Sequence, residues 1–395
     1  MNSKKVSKVC SAPWVALAIN ANKSFSLCCN TLLDINLGNW NDSSILEVFK
    51  SSSLSRYRKS FLSGVKENAC KGCYALEESH LLSKRDDFNK YYKFDPTQKV
   101  FSYSDIKRLE LFLSNRCNFN CRTCGSFLSS SWNKDSLELK RDVYNHSPPT
   151  EKQMEELFEV AKHLHSIYIA GGEPLICKET YLLLDSLLKF NNECEVTINT
   201  NLSALRFQEF NLLNYIPSLP SLSLNVSIDG IYDKGEYIRN GQNFKIFEEN
   251  LSSLAKTDIK ISFLITISIL NVFDVAEIIH YIVEKQPVRN YTVDINFVHD
   301  PSLYNIQILP DNIKSMIQAS LYLDVMNFNN SSNLKKYSQK LISICSFLKN
   351  DNTQSNIDEF FEETRRIDTL RSQSFHKVFP ELASTLSYPN VERPV

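Results

Sequence analysis

Three cysteines within eight residues, Cys117, Cys121 and Cys124, constrain this chain more than any other feature. They read Cys-Asn-Phe-Asn-Cys-Arg-Thr-Cys and closely follow an apolar run at 109–113. Three thiolates on one short loop suit three irons of a cubic cluster, which leaves the fourth iron without a protein ligand. An open metal position is what separates a catalytic site from a closed structural one. A zinc site here needs a fourth ligand, and the nearest downstream histidine is His146.

Bulk properties narrow the class. A chain of 395 residues has room for one large α/β domain and a smaller one. Its net charge of -1 gives no electrostatic case for a nucleic-acid partner. The first residues carry charge but no apolar core, so no secretory signal is expected. No uninterrupted apolar run reaches the roughly eighteen residues that suggest a membrane span. A cytoplasmic protein is expected. The 11 cysteines are an odd number, which argues against a disulfide framework. Cys177, Cys194 and Cys345 stand alone and read as small buried hydrophobes.

From residue 107 short apolar strands alternate with amphipathic helices. Strands are expected at 108–113, 166–170, 195–199, 221–228, 260–267 and 292–298. Helices are expected at 150–163, 178–190, 207–215, 244–255 and 272–284. Such alternation implies parallel pairing with right-handed crossovers, in a partial barrel or a doubly wound sheet. Ligands then belong at the carboxyl ends of the strands. Residues 128–149 read as an insertion over that end. Helices alone are expected after 309, at 311–327, 333–349 and 357–375. Before the barrel, helical periodicity first appears at 45–58, and a polar helix and linker at 79–98 close at Pro96.

The strand ends carry further candidates. Gly171-Gly172-Glu173-Pro174 follows the strand at 166–170. Glycines let the backbone approach a ligand closely with positive φ. Strand-end carbonyls and Glu173 suit an ammonium donor. Asn199 ends the next strand, in Ile198-Asn199-Thr200-Asn201. Ser227 and Asp229 close the fourth, and Arg239 follows. An arginine fork suits a carboxylate.

The CxxxCxxC spacing, followed one βα unit later by Gly-Gly-Glu-Pro, resembles the radical S-adenosylmethionine (SAM) superfamily. The resemblance implies an α/β fold, a partial (β/α)6 TIM barrel, over 107–308. It implies a 4Fe-4S cluster on Cys117, Cys121 and Cys124, with the open iron chelated by SAM. One electron then cleaves SAM to a 5′-deoxyadenosyl radical, which abstracts a substrate hydrogen. Gly171, Gly172, Glu173 and Pro174 match the segment that receives the SAM amino group. Ser227, Asp229 and Arg239 match the segment that holds its carboxylate and ribose, and Asn199 lies near SAM or substrate. Many relatives carry an aromatic residue just before the third cysteine; here it is Thr123. A reducing partner such as flavodoxin or ferredoxin is implied.

Five more cysteines lie in the first region: Cys10, the pair Cys28 and Cys29, and Cys70-Lys-Gly-Cys73. Spacing alone does not separate zinc from iron–sulfur here. The region resembles SPASM and twitch domains, which bind auxiliary iron–sulfur clusters but usually follow the barrel. The implied ligands are Cys10, either Cys28 or Cys29, Cys70 and Cys73, around an auxiliary cluster of 4Fe-4S type. The expected division is 1–80 for this domain, 81–106 for a linker, 107–308 for the barrel and 309–395 for a helical region. The expected substrate is a peptide or protein side chain. One alternative is a radical SAM dehydrogenase or epimerase of a sugar-like small molecule. Another is a non-catalytic iron–sulfur or zinc scaffold. Residues 368–382 carry no motif with assignable chemistry, and Arg58 reads as a surface charge.

Overall fold

The computed structural model describes residues 9–31, 35–78, 82–95, 97, 102–349 and 356–389. Pro96 and part of the expected linker lie outside the described residues. The chain forms two units from interleaved segments.

The first unit comprises Met1–Arg116, Asn145–Asn199 and Leu205–Leu224. Its sheet is built on β1 (Ala16–Ile19), β2 (Phe25–Ser26), β3 (Arg108–Phe112), β4 (Ser166–Ala170) and β5 (Glu195–Thr200). A small hairpin of β6 (Arg206–Phe207) and β7 (Phe210–Asn211) stands apart, and β8 (Leu222–Ser227) starts in this unit. The strand order is β8-β5-β4-β3-β1-β2. β3, β4 and β5 pair in parallel, with Leu109 opposite Ile167 and Ile167 opposite Val196. β1 joins them in parallel, with Leu17 opposite Leu109, and β2 turns back antiparallel. β1 is buried along its whole length, as apolar strands covered on both faces are. Helices Glu151–Ala161 and Lys178–Phe190 supply the crossovers. Thr150 and Gln153 form a capping box at the start of the first.

The second unit comprises Cys117–Tyr144, Thr200–Ala204 and Asn225–Val395. Here β8 ends, followed by β9 (Lys260–Ile267) and β10 (Tyr291–Phe297), in the order β10-β9-β8. β9 and β10 pair in parallel over seven residue pairs. β9 alternates buried and half-buried residues along its length, the pattern of a strand packed mainly on one face. Helices Asp311–Asn329, Ser338–Leu348 and Ile357–Arg371 follow. Phe297 stacks on Phe347 with ring centres 3.8 Å apart.

The fold is therefore α/β, with β3, β4, β5, β8, β9 and β10 in the chain order of a partial (β/α)6 barrel. Several expectations differ from the structure, among them the helix expected at 357–375, which stops at Arg371. Residues 207–215 are a hairpin and a short turn, not a helix. Gln208 takes φ 53° between the two strands, and Phe210 stacks on Tyr181 at 4.9 Å. That stacking outweighs the helical spacing of the apolar residues. Residues 45–58 fall into two helices, Ile45–Lys50 and Ser52–Leu62, because Ser51 caps the second by accepting from Leu54 N–H. Arg58 is not a surface charge. Its Nε donates to Pro13 O at 2.8 Å and its Nη2 to Phe49 O at 3.1 Å. Among the described residues no helix is long and apolar enough to cross a membrane.

Candidate functional site

In the second unit, residues 117–124 form a loop without helix or strand, so its polar backbone groups need other partners. Asn120 N–H donates to Asn240 O at 2.9 Å, and Arg122 N–H to Ile238 O at 2.8 Å. Ser129 Oγ donates to Phe119 O at 2.6 Å and Ser131 Oγ to Cys117 O at 2.7 Å. Trp132 Nε1 donates to Cys121 O at 2.8 Å. Gly241 crosses the loop so closely that an added Cβ would lie 2.8 Å from Asn118 O. Asn201 reaches the same loop, donating to Asn118 Oδ1 at 3.1 Å. Ser129, Ser131, Trp132, Asn240 and Gly241 were not legible as site residues. The one signal for Ser129, Ser131 and Trp132 is the run of serines followed by tryptophan after the third cysteine.

Burial pushes the Cys124 thiol up to about 12 and raises that of Cys121. Metal binding at such thiols must displace protons. Arg239 lies beside the loop in this unit. Its Nη1 donates to Asp229 Oδ2 at 2.6 Å, and Asp229 Oδ1 accepts Thr266 N–H at 2.8 Å. Burial works against the Arg239 charge, but Cys121 and Asp229 raise its pKa above the ordinary value. Its Nε is buried without a hydrogen-bond partner. Ser227 is half-buried at the end of β8.

In the first unit, Gly171 and Gly172 follow β4 with φ of 80° and 54°. A Cβ on Gly171 would lie 2.6 Å from the Phe112 ring, and one on Gly172 would lie 2.1 Å from Arg116 O. Only glycine fits either position. Glu173 is buried. Its N–H donates to Arg116 O at 2.8 Å and its Oε1 accepts Leu175 N–H at 3.0 Å. Pro174 opens the turn Pro174–Ile176. Asn199 Oδ1, at the end of β5, is buried without a partner.

The same unit holds the N-terminal cysteines. Cys10, Cys28, Cys70 and Cys73 line one pocket, walled also by Lys84 and Arg85. Cys70 ends the turn Asn68–Cys70 and Cys73 sits in helix Lys71–Glu78, so the pair falls one helical turn apart. Asn89 brackets Cys10, since it accepts Ser11 N–H at 2.9 Å and donates to Val9 O at 2.8 Å. Cys28 O accepts both Thr31 N–H and Thr31 Oγ1, at 3.0 Å each. Cys29 does not line the pocket. Its N–H donates to Glu110 Oε2 at 2.6 Å. Among the described residues no group of three or more His, Cys, Asp or Glu is placed to hold a single metal ion. Four soft thiols lining one pocket are a donor set of the kind that holds an iron–sulfur cluster.

The description "Radical SAM superfamily" belongs to the family whose model matches residues 111–282. Residues 111–282 thus match the radical SAM superfamily. A second family, an iron–sulfur cluster-binding domain known as SPASM, matches residues 10–74. The expected cluster domain ahead of the radical SAM core is thus borne out. Two curated relatives, each a GTP 3′,8-cyclase of a Staphylococcus epidermidis strain, are 30% identical over 146 residues. That stretch is 35% of this chain, which spans only 39% of either relative's length. Among solved structures, native anSMEcpe with bound AdoMet is 17% identical at a TM-score of 0.43, covering 58% of this chain and 62% of that one. SuiB of Streptococcus suis bound to the precursor peptide SuiA is 13% identical at a TM-score of 0.41, covering 74% and 63%.

Proposed function

We propose that this chain is a radical SAM enzyme that acts on a peptide or protein side chain and carries an auxiliary cluster. The two family-model matches together with the cysteine-lined N-terminal pocket support the reading. Cys117, Cys121 and Cys124 would hold the catalytic 4Fe-4S cluster. When bound, the cluster and SAM supply one-electron cleavage of SAM and abstraction of a hydrogen atom from substrate. The loop would contribute three thiolates and leave one iron position open. Gly171 and Gly172 would let the backbone approach the SAM amino group, with Glu173 and Pro174 fixing the turn. Arg239 would offer its remaining donors to the SAM carboxylate, with Asp229 orienting it and Ser227 supporting it. Asn199 would use its unpartnered Oδ1 as an acceptor.

Cys10, Cys28, Cys70 and Cys73 would hold the auxiliary cluster, with Cys29 as a neighbour. A single zinc draws its thiolates to about 2.3 Å from one point. The match to an iron–sulfur cluster-binding domain over residues 10–74 supports a cluster instead. Relatives with SPASM domains modify peptides and proteins or oxidise alcohols on small molecules, and of these the peptide or protein side chain is the substrate proposed. The cyclase relatives favour a second reading, a small-molecule substrate. The reductant would be a flavodoxin or ferredoxin.

Anaerobic reconstitution tests the cofactor content. About eight irons per chain are expected, from two cubane clusters. Stoichiometric zinc with about four irons would refute the auxiliary cluster.

A further inference from the structure

Asn120 and Arg122 flank the middle cluster cysteine, Cys121, and both are held by the C-terminal part of the second unit. The Arg122 side chain is fully buried. Its Nη2 donates to Asp368 Oδ1 and, at 2.8 Å, to Gln373 Oε1. Its guanidinium lies 3.7 Å from the ring centre of Tyr237, whose hydroxyl donates to the same Asp368 oxygen at 2.7 Å. Asn120 Nδ2 donates to Asp135 Oδ2 at 2.6 Å, and that oxygen also takes Arg371 Nε at 2.9 Å. Asn120 Oδ1 accepts from Asn240 Nδ2 at 2.6 Å. Asn240 Oδ1 accepts from Gln373 Nε2 at 2.9 Å, which connects the two sides.

The local backbone explains why residues 368–375 can do this. The helix Ile357–Arg371 stops at Ser372, which takes φ 53°. The chain then folds back on Asp368: Gln373 N–H donates to Asp368 O at 2.9 Å and Phe375 N–H to Asp368 Oδ2 at 2.6 Å. Asp368 is thereby fixed before it meets Arg122. Arg371 also lies over the Trp132 ring, 4.6 Å from its centre, and Trp132 donates to Cys121 O.

A loop with no regular structure does not by itself hold three sulfurs in the geometry a cluster needs. Groups outside the ligand set commonly orient the ligands and tune the metal. We propose that Asp368, Arg371 and Gln373 are positioning residues for the cluster on Cys117, Cys121 and Cys124, acting through Asn120 and Arg122. The inference rests on the radical SAM reading and assigns a role to the segment that carries no motif.

The test compares the full-length parent with Asp368→Asn, Asp368→Glu and Gln373→Ala after anaerobic reconstitution. Each is reduced with dithionite and titrated with SAM, following the electron paramagnetic resonance of the cluster. Circular dichroism is recorded on the same samples. The Asn and Ala variants are expected to keep the parent's dichroism and to need about 10- to 100-fold more SAM for the same spectral change. Asp368→Glu regains part of the response. A responsive parent with parent-like titrations in both variants overturns the inference alone. So does loss of the folded dichroism in both, which would make the network merely structural. A parent that shows no SAM-dependent change overturns the radical SAM reading and this inference together.

Discussion

Glu110 Oε2 accepts the backbone N–H of Cys29 at 2.6 Å, across 81 positions of the chain. Glu110 is fully buried on β3, and its other oxygen meets Lys84 and Arg108, each at 2.9 Å. This carboxylate fixes the turn that carries Cys28 and Cys29. Burial by itself would raise its pKa, but Lys84 and Arg108 more than offset that and hold it at about 2.

The first prediction follows from that depressed pKa. A carboxyl group lowered on folding adds stability that is present above its ordinary value of 4.5 and lost as pH falls towards about 2. Acid unfolding followed by circular dichroism should show the parent losing stability across that window. Glu110→Gln should be less stable at neutral pH and show a smaller loss over the same range. Superimposable acid profiles would remove Glu110 from the account.

The adjacent cysteines should separate by role. Cys28→Ser is expected to lose the auxiliary cluster, about four irons per chain, while Cys29→Ser keeps it. Iron analysis of the two variants decides the matter, and the reverse pattern would transfer the ligand role to Cys29.

A third prediction concerns close approach of the backbone. Gly172→Ala places a Cβ against Arg116 O and holds alanine at positive φ. Gly64 also has positive φ, 77°, yet an added Cβ there meets nothing within 4 Å. Gly64→Ala should cost about 1–3 kcal/mol of strain by thermal unfolding, and Gly172→Ala more, because its Cβ also meets a backbone oxygen. Only Gly172→Ala should also weaken SAM binding measured by calorimetry. Equal SAM affinity in the two variants would disconnect the Gly-Gly turn from the ligand.

Much of this architecture was legible from residues alone. The strands at 166–170 and 260–267 match β4 and β9 end for end, because alternation and flanking polar residues mark them. β1 was not legible. Ala16–Ile19 is too short and uniformly apolar to show a period, and its partner β3 lies some ninety positions away. The bounds of the C-terminal helix depend on Asp368 capturing Phe375 N–H, a contact with no local sequence signal. Within the site, the cysteines announce themselves by spacing. Asn89, Glu110 and Asp368, which hold the surrounding backbone, are ordinary polar residues whose partners lie far along the chain.

Arg239 tests the carboxylate clamp. Losing a charge-assisted hydrogen bond in a desolvated site costs about 1.5–3 kcal/mol, roughly ten- to a hundredfold in affinity. Arg239→Ala should weaken SAM binding by that factor with the iron content unchanged. Arg239→Lys should recover only part, since an ammonium cannot reproduce the fork. Arg289, which is exposed, is the control. Parent-like SAM affinity in Arg239→Ala would place the carboxylate partner elsewhere.

The central claim is that the loop of Cys117, Cys121 and Cys124 supports reductive cleavage of SAM. The direct measurement is 5′-deoxyadenosine formed by the anaerobically reconstituted, reduced protein supplied with SAM, quantified by chromatography and mass. The parent should form it, while a variant with alanine at all three positions should form none above background and lose about half its iron. Parent-level 5′-deoxyadenosine from the triple variant would contradict the account.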